Sequence, residues 1–296
     1  MKFEIKTPAE FSYDFSLEYL TRSPKESMHV VEDRVVKKLV QAGEERILFK
    51  VSHATDRLQV EILSGNPSPQ ARSYIEDYVH EWFDLSTDLA PFYSLAKKDE
   101  VLRSIVKKFR GYRIMGQPDL FESLIWAVLG QQINLAFAYS IKQRFVEKYG
   151  EKSEHEGRIY YLFPTPEVVS KLTHEDLLPL QFSRQKSNYI IGIARAFVSK
   201  ELSREMFHGK SLLEAKEELM KVKGIGNWTA NYAIMRTFRY PDAFPLEDVA
   251  LHKALHIQMN MRKRPSLDRV KKIFRKYKGW EAYATLYLWK SLQLNA

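Results

Sequence analysis

The spacing of apolar residues changes once along the chain, and this change limits the folds that the chain can adopt. Up to about residue 63 the apolar residues recur at every second position, in the runs Phe11, Tyr13, Phe15, Leu17 and Leu58, Val60, Ile62. Period two is typical of half-exposed β-strands, so we predict strands in both runs and another over residues 46–52 of an antiparallel sheet. Ser68 and Pro69 then indicate the start of a helix that covers one face of this sheet.

Beyond about Ser94 the apolar residues recur three and four positions apart, and we predict no further strands. An uncharged run from Ser123 to Ile141 contains polar side chains at its centre, which favours two buried helices with a polar joint over a membrane span. The predicted fold class is therefore α+β. An N-terminal antiparallel-sheet α/β domain occupies residues 1–93, and an all-helical region occupies residues 94–296.

Charge and cysteine content restrict the classes of function. The 46 Lys and Arg residues exceed the 37 Asp and Glu residues by nine, and the pI is about 9.4, so an anionic partner such as nucleic acid is expected. The absence of cysteine excludes disulfides, zinc–thiolate sites, thiol nucleophiles and Cys-ligated iron–sulfur clusters. The N-terminal residues alternate apolar and charged types, which predicts no secretory signal and a cytoplasmic protein.

The densest local pattern lies between residues 211 and 238. A Ser-x-x-Glu capping box opens one helix at Ser211, and a second helix is predicted to begin at about Asn227. The tight turn between them contains Gly224 and Gly226, and we expect glycine at both positions for positive φ and for close approach of a partner. Free N–H groups at the start of the second helix would bind an anion such as a DNA phosphate, although an ordinary helix turn has the same pattern.

A carboxylate follows this hairpin at the start of the next predicted helix. Pro245 precedes Asp248 by three residues, and the Asp248 side chain can cap the helix. The same carboxylate, fixed at the rim of a cavity, can also stabilise positive charge that develops on a substrate. The two roles are compatible, and the local sequence leaves both open.

Together these segments resemble the helix-hairpin-helix DNA glycosylases, and within them the branch called DNA-3-methyladenine glycosylase II. The resemblance rests on VKGIGNWTANY at residues 222–232 and FPLED at residues 244–248, with weaker support from residues 111–131. It implies two helical lobes with the active site in the cleft between them and Asp248 as the catalytic residue. The hairpin residues that it implies for DNA binding are Gly224, Ile225, Gly226 and Thr229.

The chemistry implied is hydrolysis of an N-glycosidic bond after the base has been flipped out of the duplex. A fixed carboxylate beside the anomeric carbon stabilises the oxocarbenium-like sugar, and an alkylated purine is cationic and leaves without a dedicated general acid. A cationic base stacks on electron-rich rings at about 0.5–2 kcal/mol per contact. Trp228 and Tyr232, four apart on one helix, and by resemblance Trp289, would form the base pocket. Aromatic residues at helical spacing are equally typical of a core.

Two positions separate this sequence from related glycosylases. Bifunctional relatives have a lysine at the position of Trp228 that forms a Schiff base, so its absence predicts a monofunctional enzyme that leaves an abasic site. The resemblance places the side chain that fills the space of the flipped base at Gln132, where the family's alkylbase enzyme has leucine. Ile133 is the alternative, and both residues could instead simply join two helices.

The resulting prediction is a monomeric DNA glycosylase of base excision repair that removes 3-methyladenine, 3-methylguanine and 7-methylguanine from duplex DNA containing alkylated bases. It needs no metal and no cofactor, although a monovalent cation held by hairpin carbonyls is left open. The alternatives are a helix-hairpin-helix DNA-binding protein without catalysis and a glycosylase for another damaged base. A zinc enzyme using His252 and His256 is disfavoured, because the Glu of the metalloprotease signature is missing.

Overall fold

The N-terminal part of the protein is an antiparallel sheet with two helices, in a computed structural model that describes residues 1–295. Its elements are β1 (Lys2–Lys6), α1 (Tyr13–Leu20), β2 (Val30–Glu32), β3 (Val35–Ala42), β4 (Glu45–Ala54), β5 (Arg57–Ser64) and α2 (Pro69–Trp82). The strands lie in the order β1-β5-β4-β3-β2, and each neighbouring pair is antiparallel. Strands β4 and β5 confirm two of the predicted strands, and α2 begins after the predicted Ser68 cap.

The prediction of a strand through Tyr13 and Leu17 is wrong, because this segment forms helix α1. Ser12 caps the helix by accepting a hydrogen bond from the Phe15 N–H. The Tyr13 hydroxyl donates to the carbonyl oxygen of Val51, which anchors the helix on the sheet. Over so short a run, alternating apolar residues can also be buried on a helix, so the period alone does not distinguish a strand from a helix here.

The rest of the chain is mostly helical, which confirms the α+β fold class. Its helices are α3 (Ala90–Lys97), α4 (Leu102–Lys108), α5 (Leu120–Gly130), α6 (Leu135–Tyr149), α7 (Pro166–Val169), α8 (His174–Leu177), α9 (Arg184–Val198), α10 (Leu212–Met220), α11 (Asn227–Thr237), α12 (Val249–Gln258), α13 (Leu267–Phe274) and α14 (Glu281–Ser291). Short 3₁₀ turns cover Leu178–Leu180, Glu205–Phe207, Arg275–Tyr277 and Leu292–Asn295. Across residues 1–295, no helix is long and apolar enough to cross a membrane.

The prediction that no strand follows residue 94 is wrong at one place. Strands β6 (Lys152–His155) and β7 (Arg158–Tyr161) form an antiparallel hairpin with Glu156 and Gly157 at its turn, both at positive φ. Tyr160 of β7 packs with residues of β3 and β4, so the hairpin extends the contact with the N-terminal sheet. Most of its positions are polar or charged, which left too few apolar residues for a recognisable period of two.

Two main apolar cores follow the two kinds of secondary structure. The N-terminal core lies between the sheet and α2, and the larger core lies among the helices. Helix α3 begins at Ala90 and packs Phe92 into the helical core, although the predicted boundary falls between residues 93 and 94. The division into domains 1–93 and 94–296 stays a prediction.

A buried cluster of charged side chains joins the N-terminal part to α5 and α6. The Lys142 ammonium lies 3.0 Å from Glu26 and 3.4 Å from Glu122, and the Lys142 side chain is only 4% exposed. Burial alone would raise the pKa of Glu26, but Lys142 outweighs this effect and holds the pKa at about 2. These three residues and His29 line one cavity, and burial there lowers the pKa of His29 to about 4.

His29 is therefore expected to make folding sensitive to mild acid. Its folded-state pKa lies below the ordinary value of 6.5, so the unfolded chain takes up the proton first, and stability present above pH 6.5 is lost as the pH falls towards 4. This linkage predicts that His29→Gln reduces the loss of unfolding free energy between pH 7.5 and pH 5 by about 2 kcal/mol, measured by urea titration. The exposed control His208→Gln should leave the wild-type pH dependence unchanged. An unchanged dependence in His29→Gln would refute the assignment.

Candidate active site

The turn between α10 and α11 has the predicted hairpin form, with one difference. Gly224 has φ of +100°, and a Cβ atom there would lie 2.4 Å from the Tyr189 ring, so glycine is required at this position. Gly226 caps α11 at a φ of −88°, and no atom lies within 4 Å of a Cβ placed there. The prediction of positive φ at both glycines is therefore wrong for Gly226. Gly226 is exposed and has no side chain to bond the first N–H groups of α11, which leaves them open to a partner.

The side chains of Ile225 and Thr229 lie inside the protein, with 4% and 2% of their surface exposed. Ile225 packs into the helical core, and the Thr229 hydroxyl accepts a hydrogen bond from the Gln131 amide at 3.0 Å. Neither side chain can touch DNA in this conformation, and the Ile225 N–H already donates to the Val222 carbonyl, so the predicted contact with DNA falls to the free main-chain N–H groups at the start of α11. Gln131 also donates to the Gly224 carbonyl and thereby ties the joint between α5 and α6 to the hairpin.

Asp248 caps α12 and is at the same time the acceptor for two indole groups. Its Oδ1 accepts hydrogen bonds from the Leu251 N–H at 2.7 Å and from Trp289 Nε1 at 2.7 Å. Its Oδ2 accepts a hydrogen bond from Trp228 Nε1 at 3.1 Å. The carboxylate is half-buried and held in one orientation by three N–H donors. The capping role and a role at a cavity rim, both left open by the sequence, are compatible in this geometry.

The three predicted aromatic residues lie beside this carboxylate. The rings of Trp228 and Tyr232 are stacked, with centroids 5.2 Å apart and planes at 21°. The Trp289 ring lies 6.4 Å from Tyr232 at 45°. Tyr232 is buried, whereas both tryptophans are half-buried and so retain surface that a ligand can reach. The structure thus brings together all four residues predicted for catalysis and base binding.

Sequence reasoning missed the buried Arg236, which lies behind these rings. Its guanidinium carbon is 5.4 Å from the ring centroid of Tyr232 and 5.8 Å from that of Trp289. It also donates from Nη1 to the Met115 carbonyl. Arg236 follows Tyr232 by four residues on the same helix, so helical spacing alone could have indicated it.

Asn227 and Asn231 hold the segment that precedes α12. The side chain of Asn231 accepts a hydrogen bond from the Phe244 N–H at 2.9 Å and donates to the Asn227 carbonyl. Asn227 donates from its side-chain amide to both carboxylate oxygens of Glu247, at 2.8 and 2.9 Å. These contacts fix the loop that carries Asp248 against the first turn of α11.

The two candidates for the side chain that fills the space of the flipped base differ in their surroundings. Gln132 is exposed and has φ of +56°, a left-handed conformation that is uncommon outside glycine and often occurs at functional sites. Ile133 is half-buried and packs against the aromatic cluster that contains Trp126 and Trp228. This difference favours Gln132, and its role stays a prediction.

The geometry does not support the zinc alternative. Both ring nitrogens of His252 lie beside carbonyl oxygens, at 2.8 Å from Leu246 and 3.0 Å from Pro265, so no ring nitrogen is left for zinc. In the hairpin, the carbonyls of Gly224 and Gly226 already accept internal hydrogen bonds. Each carbonyl oxygen keeps a second lone pair, so a monovalent cation at the hairpin stays an open expectation, and the proposed function does not use such an ion.

Two family models match this chain. The model of HhH-GPD superfamily base excision DNA repair proteins matches residues 125–279, and that of the 8-oxoguanine DNA glycosylase N-terminal domain matches residues 16–124. The first match covers more than half of the chain and includes the hairpin and Asp248. The protein therefore belongs to the HhH-GPD superfamily of base excision DNA repair proteins, which confirms the resemblance found in the sequence.

The similarity extends to particular glycosylases. DNA-3-methyladenine glycosylase of Bacillus subtilis (strain 168) is 44% identical over 97% of this chain and 96% of its own length. The solved 3-methyladenine DNA glycosylase of Archaeoglobus fulgidus shares the fold, with a TM-score of 0.84 at 23% identity over 98% of both chains. The Clostridium acetobutylicum 8-oxoguanine glycosylase/lyase bound to double-stranded DNA has a TM-score of 0.77 at 22% identity, covering 100% of this chain and 99% of its own. The predicted enzyme class, a DNA glycosylase, is confirmed.

Proposed function

We propose that the protein is a monofunctional glycosylase that excises alkylated purines, of the 3-methyladenine, 3-methylguanine and 7-methylguanine type, from duplex DNA. The observation that carries this proposal is the Asp248 carboxylate, held by two indole N–H groups at the edge of an aromatic cluster. The name and 44% identity of the Bacillus subtilis relative support the substrate class. We expect a cytoplasmic monomer that acts without a cofactor.

Each part of the site has a role in this reaction. The free N–H groups at the start of α11 bind a DNA phosphate, and Gln132 fills the space that the flipped base leaves in the duplex. The base stacks on the exposed surfaces of Trp228 and Trp289. Asp248 then stabilises the positive charge that develops on the sugar as the N-glycosidic bond breaks, and it orients the water that attacks the anomeric carbon.

The absence of lyase chemistry follows from the residue at position 228. Trp228 uses its indole N–H to bind Asp248, and an indole cannot form a Schiff base. The nearby Lys290 is buried and paired with Glu18, which leaves its amine bound to a carboxylate. Among residues 1–295, no lysine amine donates to Asp248.

A second candidate substrate is an oxidised guanine. The match of residues 16–124 to an 8-oxoguanine glycosylase domain and the shared fold with a glycosylase/lyase favour it. Bifunctional relatives need a lysine amine at the position of Trp228, so the tryptophan weighs against the lyase step of such an enzyme. A helix-hairpin-helix protein that only binds DNA would not need a carboxylate held at an aromatic pocket.

The function is tested by incubating the purified protein with methylated duplex DNA without added metal. We expect free methylpurines, and strand breaks only after alkali treatment, because hydrolysis leaves an intact abasic strand. Chromatography of the released bases and gel analysis of the strands measure the two results. A second duplex, which contains 8-oxoguanine and is incubated in the same way, tests the second candidate substrate. Binding without release would contradict the proposal, and breaks without alkali would contradict its monofunctional part.

A further inference from the structure

One segment of the chain carries almost all of its excess positive charge. Residues 262–278 contain nine Lys and Arg residues and a single acid, which gives the segment a net charge of +8, against +9 for the whole chain. The segment extends from the turn after α12 through helix α13 and the 3₁₀ turn Arg275–Tyr277. The rest of the chain is therefore nearly balanced, and this one segment attracts anionic partners.

Helix α13 is anchored by one side and exposes its charges on the other. Val270, Ile273 and Phe274 are buried in the helical core, whereas all nine basic side chains of the segment are exposed. Like charges three and four positions apart, such as Lys272 and Arg275, destabilise a helix. An anion bound to the exposed side would relieve this repulsion.

Few acidic side chains neutralise the segment. Lys276 pairs with Asp99, and Lys271 lies 4.0 Å from Asp268, whose side chain is 96% exposed. The other seven basic side chains form no ion pair with any of residues 1–295. We call these seven residues the basic face: Arg262, Lys263, Arg264, Arg269, Lys272, Arg275 and Lys278.

The basic face lies beside the loop that bears the predicted catalytic carboxylate. At the end of α13, the Phe274 ring is stacked on that of Phe244, with centroids 4.4 Å apart and planes at 15°. Before the start of α13, the Pro265 carbonyl oxygen lies 3.0 Å from one ring nitrogen of His252, and the other ring nitrogen lies 2.8 Å from the Leu246 carbonyl oxygen. Both ends of α13 are thus held against this loop and the helix that follows it.

We propose that the basic face is a second DNA-binding surface, which contacts phosphates of the duplex to one side of the flipped base. The hairpin contacts the same loop through Asn227 and Glu247. Glu247 and Phe244 are three positions apart, at most about 11 Å along the chain, so one duplex can reach both the hairpin and α13. Exposed Lys and Arg side chains bind phosphates without reading the bases.

The size of α13 fits a contact of this kind. Its eight residues extend for about 12 Å, which is the length of three to four base pairs. The inference rests on the duplex DNA substrate of the proposed function and adds a second contact to that of the hairpin. It does not depend on which damaged base is released.

The test measures binding of a duplex that contains an abasic-site analogue, by fluorescence anisotropy at several salt concentrations. The main variant combines Lys272→Gln with Arg275→Gln and so removes two charges from the exposed side of α13. Each phosphate contact contributes about 0.9 to the slope of log K against log salt, so we expect the slope to decrease by about 1.8. At about 0.1 M salt, the Kd should rise by at least about tenfold.

The matched control combines Arg103→Gln with Lys107→Gln. These residues are also one arginine and one lysine on the exposed side of a helix, α4, and neither forms an ion pair with any of residues 1–295. The control removes the same net charge, and its slope and Kd should equal those of wild type.

A second measurement locates the contact on the DNA. The analogue is placed near one end of the duplex and then near the other, so that only one flank is long in each case. We expect the α13 variant to lose affinity relative to wild type on one of these two duplexes and to match wild type on the other.

The outcomes separate this inference from the proposed function. Equal slopes in wild type and the α13 variant would overturn the second surface and leave the function standing. Equal losses in the α4 control, or on both asymmetric duplexes, would also overturn it, because the effect would then follow from net charge and not from contact with one flank. If the wild type bound the duplex but released no methylpurine, the proposed function would fail and the second surface would stand. Thermal melting checks that each variant is folded.

Discussion

Asp248→Asn is expected to reduce base release by at least about 10²-fold, because a neutral amide cannot stabilise positive charge on the sugar. The fold should survive the change. Asparagine caps helices as well as aspartate does, so the oxygen that accepts the Leu251 N–H is retained. The same oxygen keeps the Trp289 bond, whereas the Trp228 indole N–H faces the new NH₂ group and loses its acceptor, which costs far less than the catalytic effect. Single-turnover release from methylated duplex DNA measures the loss, and thermal melting tests the fold.

Glu247→Gln is the matched control for this experiment. Glu247 carries the neighbouring carboxylate, is exposed, and receives its hydrogen bonds from Asn227 instead of the aromatic residues. We expect this variant to release bases at a rate within a few-fold of wild type. If Asp248→Asn kept most of the activity, or if both variants lost it equally, Asp248 would not be the catalytic carboxylate.

Gly111→Ala is expected to destabilise the protein by about 4 kcal/mol or to prevent folding. Gly111 has φ of +89°, and a Cβ atom there would lie 1.9 Å from the Glu10 carbonyl oxygen. Its own N–H donates to the Tyr93 hydroxyl, and its carbonyl accepts from the N–H of Ser12, the cap of α1. The contact is between two backbones, so no side-chain rotation relieves it. Urea unfolding measures the change.

Gly43→Ala separates the two causes of this loss. Gly43 also has positive φ, at +64°, but no atom lies within 4 Å of a Cβ placed there. Only the backbone strain applies, and the expected cost is about 1 kcal/mol. Equal losses in the two variants would mean that the close approach of Gly111 to Glu10 contributes nothing to stability.

The junction at Gly111 also positions side chains next to the predicted base pocket. Ser12 starts α1, and α1 carries Tyr19 towards Arg236. A displacement at Gly111 would therefore move the segment that bears Tyr19. This connection gives the N-terminal sheet and its first helix a physical reason to accompany the helical core.

The local sequence by itself determined the parts of the site that depend on near neighbours. The Ser211 capping box, the start of α11 after the hairpin and the Asp248 cap each involve residues within about four positions. Such hydrogen bonds form within one turn of chain, so residue type and spacing are sufficient to predict them. The role of Trp228 as a replacement for lysine came from the resemblance and stays a prediction.

Only the tertiary structure decided which distant residues meet. Trp289 reaches Asp248 across 41 positions, and Arg22 reaches Tyr139 across 117. No periodicity in either segment records such a contact, because it depends on how the helices and the sheet pack. The same holds for residues 13–20, where alternation suited a strand and the Ser12 cap with burial against Val51 stabilised a helix. Local hydrogen bonds can be predicted from sequence, whereas the aromatic cluster beside Asp248 is formed by packing between elements far apart in the chain.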